Sequence, residues 1–539
     1  MTMLFISLAT PAPSHSEVNT PNAFPLHPGF PKTEMDGTFF SGPSSVDLFL
    51  DRKFELVTAD SSGCIWAYDD KGKLLSGFPW KTSSACSYMP RINAPLAIGD
   101  LNGDGLVEIV AGTRGTGPNA GQRGKVYVWD IWGRIRSGWP KEMDWAYIDN
   151  GNEPEVMTVA IGDITGDGKP EVIAGTSNEA GSNTSYAPNI YAWSYSGALL
   201  SGFPKSSDKG SGIWGQLAIG DIDKNGKSEI LIGRDEIYYY AYNGQGQNMS
   251  GWPVRTYVDI NKTTWGSDMY MEFTRSAAAV ADLDNDGTNE VVMAGKVRNP
   301  AWGGGDPYPQ SNSGVIVTEL NGARHPGWNT AKLAGAPIQT AFTPNNQVVL
   351  FDLDGNKTLE IIVTFDDGTI RAFRHDGVQL WVYNYANGFR LFASEVVIGD
   401  VSGDGKPDIV FGTYSPDGTA NQYGYILGID GNGQILHNFP LYLTAEGNAA
   451  VKGIMASPLL ADIDGNCYLD IVAHSRGGSL YAWDTNARVN DKALIWPTSR
   501  LNNTRTATVV PPKVYPPTNP NLTHKISLPA VFSGPLCGG

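Results

Sequence analysis

The chain reads as short apolar runs broken by polar turns, and no stretch sustains the three-to-four-residue apolar spacing of a helix. Runs such as Leu96-Ala-Ile-Gly99, Val159-Ala-Ile-Gly162 and Val396-Val-Ile-Gly399 lead into an acidic turn. Second runs, Glu108-Ile-Val-Ala-Gly112, Glu171-Val-Ile-Ala-Gly175 and Asp408-Ile-Val-Phe-Gly412, leave it. Runs this short, bounded by turn residues and rich in Val and Ile, predict strands buried on both faces. A third segment alternates aromatic and small residues, as in Cys64-Ile-Trp-Ala-Tyr68, Val126-Tyr-Val-Trp129, Ile190-Tyr-Ala-Trp193, Ile237-Tyr-Tyr-Tyr-Ala-Tyr242, Ile370-Arg-Ala-Phe373 and Leu480-Tyr-Ala-Trp483. A turn with Gly or Asn then leads to a fourth segment ending in Ser-Gly-Phe/Trp-Pro at 76–79, 137–140, 201–204 and 250–253. Four strands per unit, repeated, predict an all-β β-propeller.

The acidic turn fixes the phase of the repeat. Seven clear copies start at Asp100, Asp163, Asp221, Asp282, Asp352, Asp400 and Asp462. An eighth, decayed copy runs from Asp47 to Glu55, with Asp51 at its fifth position and Phe49 at its third. Successive starts lie 53, 63, 58, 61, 70, 48 and 62 residues apart, the length of one four-stranded blade with its loops. The expectation is eight blades with the acidic loop between first and second strands, or seven if the decayed copy is only a partial blade or cap. His27-Pro-Gly-Phe-Pro31 repeats the fourth-segment ending before any unit has begun, and Trp496-Pro-Thr-Ser-Arg500 follows the last unit. One of these should complete the final blade, since a closed ring leaves no open sheet edge. The expected division is a leader over 1–26 resembling a degenerate secretory signal, a single propeller over 27–510, and a Pro/Asn-rich tail over 511–539.

In Asp282-Leu-Asp-Asn-Asp-Gly-Thr-Asn-Glu290, oxygen side chains at positions 1, 3, 5 and 9 surround a position-6 glycine. A hard cation such as Ca²⁺ wants six to eight oxygens in a tolerant geometry, and position 7 would add a backbone carbonyl. An EF-hand is excluded, because that loop closes with a Glu at position 12 between helices. The expected side-chain ligands are Asp100, Asn102, Asp104 and Glu108; Asp163, Thr165, Asp167 and Glu171; Asp221, Asp223, Asn225 and Glu229; and Asp282, Asp284, Asp286 and Glu290. The remaining loops supply Asp352, Asp354, Asn356 and Glu360; Asp400, Ser402, Asp404 and Asp408; and Asp462, Asp464, Asn466 and Asp470. Lys357 and Cys467 stand at position 6 in two loops whose glycine sits at position 4, as Gly355 and Gly465.

These loops and their strand flanks resemble the FG-GAP or VCBS repeats of calcium-binding β-propellers, including the integrin α-subunit head, over about residues 45–505. The Gly-Ala-Pro element of the family pattern is reduced here to Ala-Gly-Thr and similar triplets. The resemblance implies about seven Ca²⁺ that hold the blades and an extracellular, secreted or cell-surface location.

Charge then takes on a different meaning. The chain has 539 residues and a formal charge of −16, yet 22 of its 55 acids lie in the seven loops, and seven divalent cations would reduce the charge to −2. The acidic balance disfavours nucleic acid as a partner. No apolar run approaches the roughly 20 residues needed to span a bilayer. Cys64, Cys86, Cys467 and Cys537 lack zinc or redox spacing, and a Cys64–Cys86 bridge is left open.

No nucleophile elbow, HExxH or P-loop is present, and no catalytic residue is assigned. Units agree least in the long connections on the face opposite the acidic loops, over Arg114–Gly124, Ser177–Pro188, Lys296–Gly314, Tyr414–Tyr423 and between blades. Candidate ligand-binding residues there are Trp145, Trp214, Trp265, Tyr270, Arg275, Trp302 and Arg390, since aromatic faces beside charged groups suit sugars or peptides. The leading expectation is a monomeric binding protein for a protein or glycan ligand. The alternative is a carbohydrate-active enzyme such as a polysaccharide lyase, with its site in the central funnel.

Overall fold

The computed structural model describes residues 23–51, 53–86, 91–115, 123–144, 155–178, 188–206, 211–234, 236–273, 276–300, 313–335, 347–415, 424–445, 453–489 and 494–502. They form eight antiparallel sheets and no helix. Blade 1 consists of Ser44–Val46, Glu55–Ala59, Cys64–Tyr68 and Trp80–Lys81. Blade 2 is Ala97–Gly99, Glu108–Gly112, Lys125–Trp129 and Lys141–Glu142, and blade 3 is Val156–Gly162, Glu171–Thr176, Pro188–Trp193 and Lys205–Ser206. Blade 4 is Ala218–Gly220, Glu229–Gly233, Tyr238–Tyr242 and Val254–Arg255. In blade 5, Tyr270–Glu272 and Ala279–Ala281 both pair with the long strand Glu290–Arg298, which is followed by Ser313–Glu319 and Lys332–Leu333. Blade 6 is Val348–Phe351, Glu360–Thr364, Thr369–Phe373 and Gln379–Asn384. Blade 7 is Phe392–Gly399, Asp408–Tyr414, Tyr425–Ile429 and Leu441–Tyr442, and blade 8 is Leu459–Ala461, Tyr468–His474 and Leu480–Arg488.

Blade 1 is a full four-stranded unit, so the decayed acidic copy does not reduce the ring to seven. The N-terminal segment supplies the missing fourth strand of blade 8: Leu26 pairs with Trp483, Lys32 with Leu480, and the His27 amide donates to the Ala482 carbonyl at 2.9 Å. The segment after the last unit goes elsewhere. Leu494–Trp496 pairs with Ile398 and Gly399 on the inner strand of blade 7.

Strands buried on both faces follow from blades stacking face to face. Each apolar cluster spans neighbouring blades, as with Val57, Ile65, Ile98 and Trp129 between blades 1 and 2, or Ile173, Ile190, Ile219 and Ile232 between blades 3 and 4. In the third strands, aromatics two residues apart share one face and stack, Tyr127 on Trp129 at 4.9 Å and Tyr191 on Trp193 at 5.3 Å. The fourth-segment aromatics latch each blade to the next. Trp139 Nε1 donates to the Tyr195 carbonyl (3.0 Å), Trp252 to Leu320 (2.7 Å) and Trp328 to His375 (2.5 Å). Beside Trp252, Gly251 has φ +85°, and a Cβ there would lie 1.9 Å from the Asn321 carbonyl oxygen. Glycine is required because the neighbouring blade's turn occupies the place of a side chain.

Candidate functional site

Each acidic loop joins the first and second strands of its blade, and in all of them the backbone is wound around the carboxylates. In blades 2, 3, 6, 7 and 8 the position-1 Asp accepts amides from positions 4 and 6: in blade 2, Asp100 takes Gly103 at 2.7 Å and Gly105 at 2.8 Å. In blade 6, Asp352 takes Gly355 at 2.7 Å and Lys357 at 2.9 Å, and in blade 8, Asp462 takes Gly465 at 2.8 Å and Cys467 at 3.0 Å. Positions 4 and 6 are both left-handed, at +76° and +89° for Gly103 and Gly105, and at +61° and +96° for Asn285 and Gly287. Lys357 at +77° and Cys467 at +70° therefore hold the same backbone that glycine holds elsewhere. The two loops that depart in sequence do not depart in shape.

The position-9 acid reaches back to the position-2 amide: Glu108 to Leu101 (2.9 Å), Glu171 to Ile164 (3.0 Å), Glu290 to Leu283 (2.7 Å), Glu360 to Leu353 (2.7 Å) and Asp470 to Ile463 (2.9 Å). Glu55 in blade 1 makes the same bond to Leu48 at 2.8 Å, so the decayed loop keeps the frame while exposing Phe49. These acids are buried, and burial pushes Glu55, Glu108, Glu171, Glu360 and Asp408 up to about 7, and Glu229, Glu290 and Asp470 up to about 8. Neighbouring loop carboxylates add to the rise and the amide bonds oppose it.

The donor set suits a hard cation. Asp163, Asp167 and Glu171 bring one oxygen each to within 4.8 Å of the others, as do Asp221, Asp223 and Glu229. Asp221 Oδ1, Ser402 Oγ and Asp470 Oδ1 are buried without a hydrogen-bond partner among the described residues. An ion inside the loop would satisfy these atoms and neutralise the buried acids, whereas an ordinary Asx turn would leave both costs standing.

The candidate ligand-binding residues separate into groups. Trp145, Arg275 and Trp302 lie outside the described residues, as does most of each variable insertion. Trp214 is partly buried and packs on a cluster of Phe40, Met157, Phe392, Tyr414 and Met455, contributed from around the ring. Arg390 is exposed in the connection between blades 6 and 7. Trp265 is 67% exposed, and its ring lies 5.4 Å from that of Tyr270, tilted by 32°. Tyr270 donates to Glu272 at 3.4 Å, and Glu272 is paired with the buried Arg298. An open aromatic platform therefore sits beside a fixed acid-guanidinium pair on the extended end of blade 5, away from the acidic loops.

The cross-ring contacts of the segment after the last unit were not legible in sequence. Arg500 is fully buried and donates to Thr158 Oγ1 (3.0 Å) and the Val159 carbonyl (2.9 Å) of blade 3 and to the Leu217 carbonyl (3.1 Å) of blade 4. Gln216 donates to Glu395 of blade 7 at 2.6 Å. The segment 494–502 thus ties blade 7 to blades 3 and 4. A Cys64–Cys86 disulfide, with Cα atoms 5.6 Å apart, ties the third strand of blade 1 to the connection leaving that blade.

Comparison with known proteins places these repeats. The FG-GAP repeat model matches residues 96–129, and the FG-GAP-like repeat model matches residues 163–232. No curated protein sequence matches the chain. Among solved structures, the exotype rhamnogalacturonan lyase YesX is similar at TM-score 0.52 and 15% identity, covering 95% of this chain and 84% of that one. Sqt1 of Saccharomyces cerevisiae is similar at TM-score 0.50 and 8% identity, covering 86% and 99%. At these identities the likeness is one of fold.

Proposed function

The chain is an FG-GAP repeat β-propeller protein, and from that premise we propose that it is an extracellular, calcium-stabilised module that binds a protein or glycan ligand through the face opposite its acidic loops. Seven Ca²⁺ would be held by the position 1, 3, 5 and 9 side chains from Asp100–Glu108 through Asp462–Asp470, cross-linking the first two strands of each blade. Calcium would supply charge neutralisation there and no chemistry on a ligand. The Cys64–Cys86 bridge supports an oxidising location.

The observation that carries the binding reading is the Trp265–Tyr270 platform, since a large aromatic face left open beside fixed polar groups is what a sugar ring or peptide segment stacks on. The lyase alternative draws less support, because it rests on a likeness of fold alone. A glycan array probed with the purified chain in calcium, followed by Trp265→Ala, tests the reading. Retained binding should fall at least tenfold in the variant with its melting temperature unchanged. Unsaturated product accumulating from an acidic polysaccharide would favour the lyase instead.

A further inference from the structure

Two blades carry His-Pro-Gly-aromatic in the fourth segment, His27-Pro-Gly-Phe30 closing blade 8 and His325-Pro-Gly-Trp328 in blade 5. At the corresponding position the other blades with such an ending hold Leu75, Arg136, Leu200, Met249 and Leu436. In both cases the imidazole lies beside the position-9 acid and an acid of the third strand. His27 groups with Asp470 and Asp484, and His325 with Glu290 and Glu319.

The two rings then diverge. His27 is satisfied at both nitrogens, Nδ1 with Asp484 at 2.5 Å and Nε2 with the Asp70 carbonyl of blade 1 at 2.8 Å. The carbonyl equivalent to that of Asp70 belongs to His375 of blade 6, and it is taken by Trp328 Nε1 at 2.5 Å, a donor that Phe30 lacks. His325, 3% exposed, donates from Nδ1 to Glu319 at 2.8 Å, and its Nε2 is left without a hydrogen-bond partner among the described residues. The His375 ring lies 6.1 Å from that of His325, and its Nδ1 is buried and likewise unpartnered. Asp284, whose Oδ1 accepts the Asp286 amide at 3.2 Å, completes a trio in which each residue offers one ligand atom within 4.8 Å of the other two.

We propose that Asp284, His325 and His375 form a transition-metal site of the Zn²⁺ class at the seam between blades 5 and 6. Two imidazoles and a carboxylate select a borderline cation over calcium, which prefers oxygen. Each pair of ligand atoms lies within 4.8 Å, against an edge of about 3.4 Å for a tetrahedron with ligand bonds of about 2.1 Å. The Glu319 carboxylate holds His325 in the tautomer that presents Nε2, as the outer partner of a metal-bound imidazole does. The ion would join the acidic loop and fourth segment of blade 5 to the turn of blade 6, a cross-blade staple that calcium in a single loop cannot provide.

Asp284 is also the position-3 side chain of the blade 5 acidic loop, whereas His325 and His375 belong to no acidic loop. The test therefore uses the full chain both without added Ca²⁺ and in saturating Ca²⁺, and the calcium-free arm reads the site apart from the calcium reading. Co²⁺ titration should give visible d–d absorption saturating at one equivalent, and Zn²⁺ should displace it. His325→Gln and His375→Gln should each weaken binding at least tenfold; His375 lies in a partly exposed turn, so its variant keeps the test alive if the first fails to fold. No one-to-one Co²⁺ signal in the native chain, or an unchanged titration in folded His375→Gln, would overturn the proposal.

Discussion

Stripping divalent cations should invert the usual pH dependence of this ring. The position-9 acids are protonated more readily when folded than when unfolded, since burial lifts Glu108 and Glu360 from 4.5 to about 7 and Glu229 to about 8. A raised folded pKa means that the native state binds the extra proton between these values. Stability is therefore fully present below about 4.5 and is lost as pH rises through 7 to 8. At about 1.4 kcal/mol per pKa unit, a rise from 4.5 to about 7 amounts to about 3 kcal/mol for one loop. Unfolding entropy of about 2 cal/mol/K per residue makes 1 kcal/mol worth about 1 °C for a ring of this size. Eight loops acting together, three of them raised to about 8, thus set a ceiling of about 30 °C. The assay is a thermal melt of EDTA-stripped, dialysed protein at pH 5 and pH 8, with and without millimolar Ca²⁺. The stripped protein should melt lower at pH 8, and calcium should restore it most at pH 8. A stripped melt that is flat or rises with pH, or one that calcium does not change, would refute the reasoning.

Three substitutions probe the backbone and the cross-ring contacts. Lys357→Gly should stabilise by about 0.5–1 kcal/mol, because relief of a left-handed residue outweighs the added freedom of the unfolded chain; urea unfolding in calcium measures it. Gly251→Ala should destabilise by more than about 2 kcal/mol, since the methyl meets the Asn321 carbonyl of the next blade as well as a positive φ, and a melt within 1 °C of the native chain would count against the latch. Arg500→Ala removes three buried donations and leaves the Val159 and Leu217 carbonyls unpaired, so a loss of about 3 kcal/mol is expected by urea unfolding, with Arg500→Lys recovering only part of it.

The propeller, its eight units and the placement of every acidic loop were legible in the sequence because they rest on local rules. Period-two aromatic pairs such as Tyr127 and Trp129 must share a face, and Asp, Asn and Gly at fixed spacing must turn. Even the displaced glycines of the Asp352 and Asp462 loops have a local cause, since the loop needs two left-handed residues and tolerates Lys357 or Cys467 at one of them. Other features depend on which distant segments meet. No periodicity shows that the His27 segment closes blade 8 while the Trp496 segment turns inward, or that Arg500 finds carbonyls more than 280 residues away in the chain. Trp214 and Trp265 look alike as aromatics in inter-blade connections, yet one packs against the Phe392 cluster and the other stands open. The histidines looked scattered for the same reason. His325 and His375 lie 50 residues apart, and only the stacking of blade 5 on blade 6, with Trp328 taking the carbonyl between them, brings their rings together.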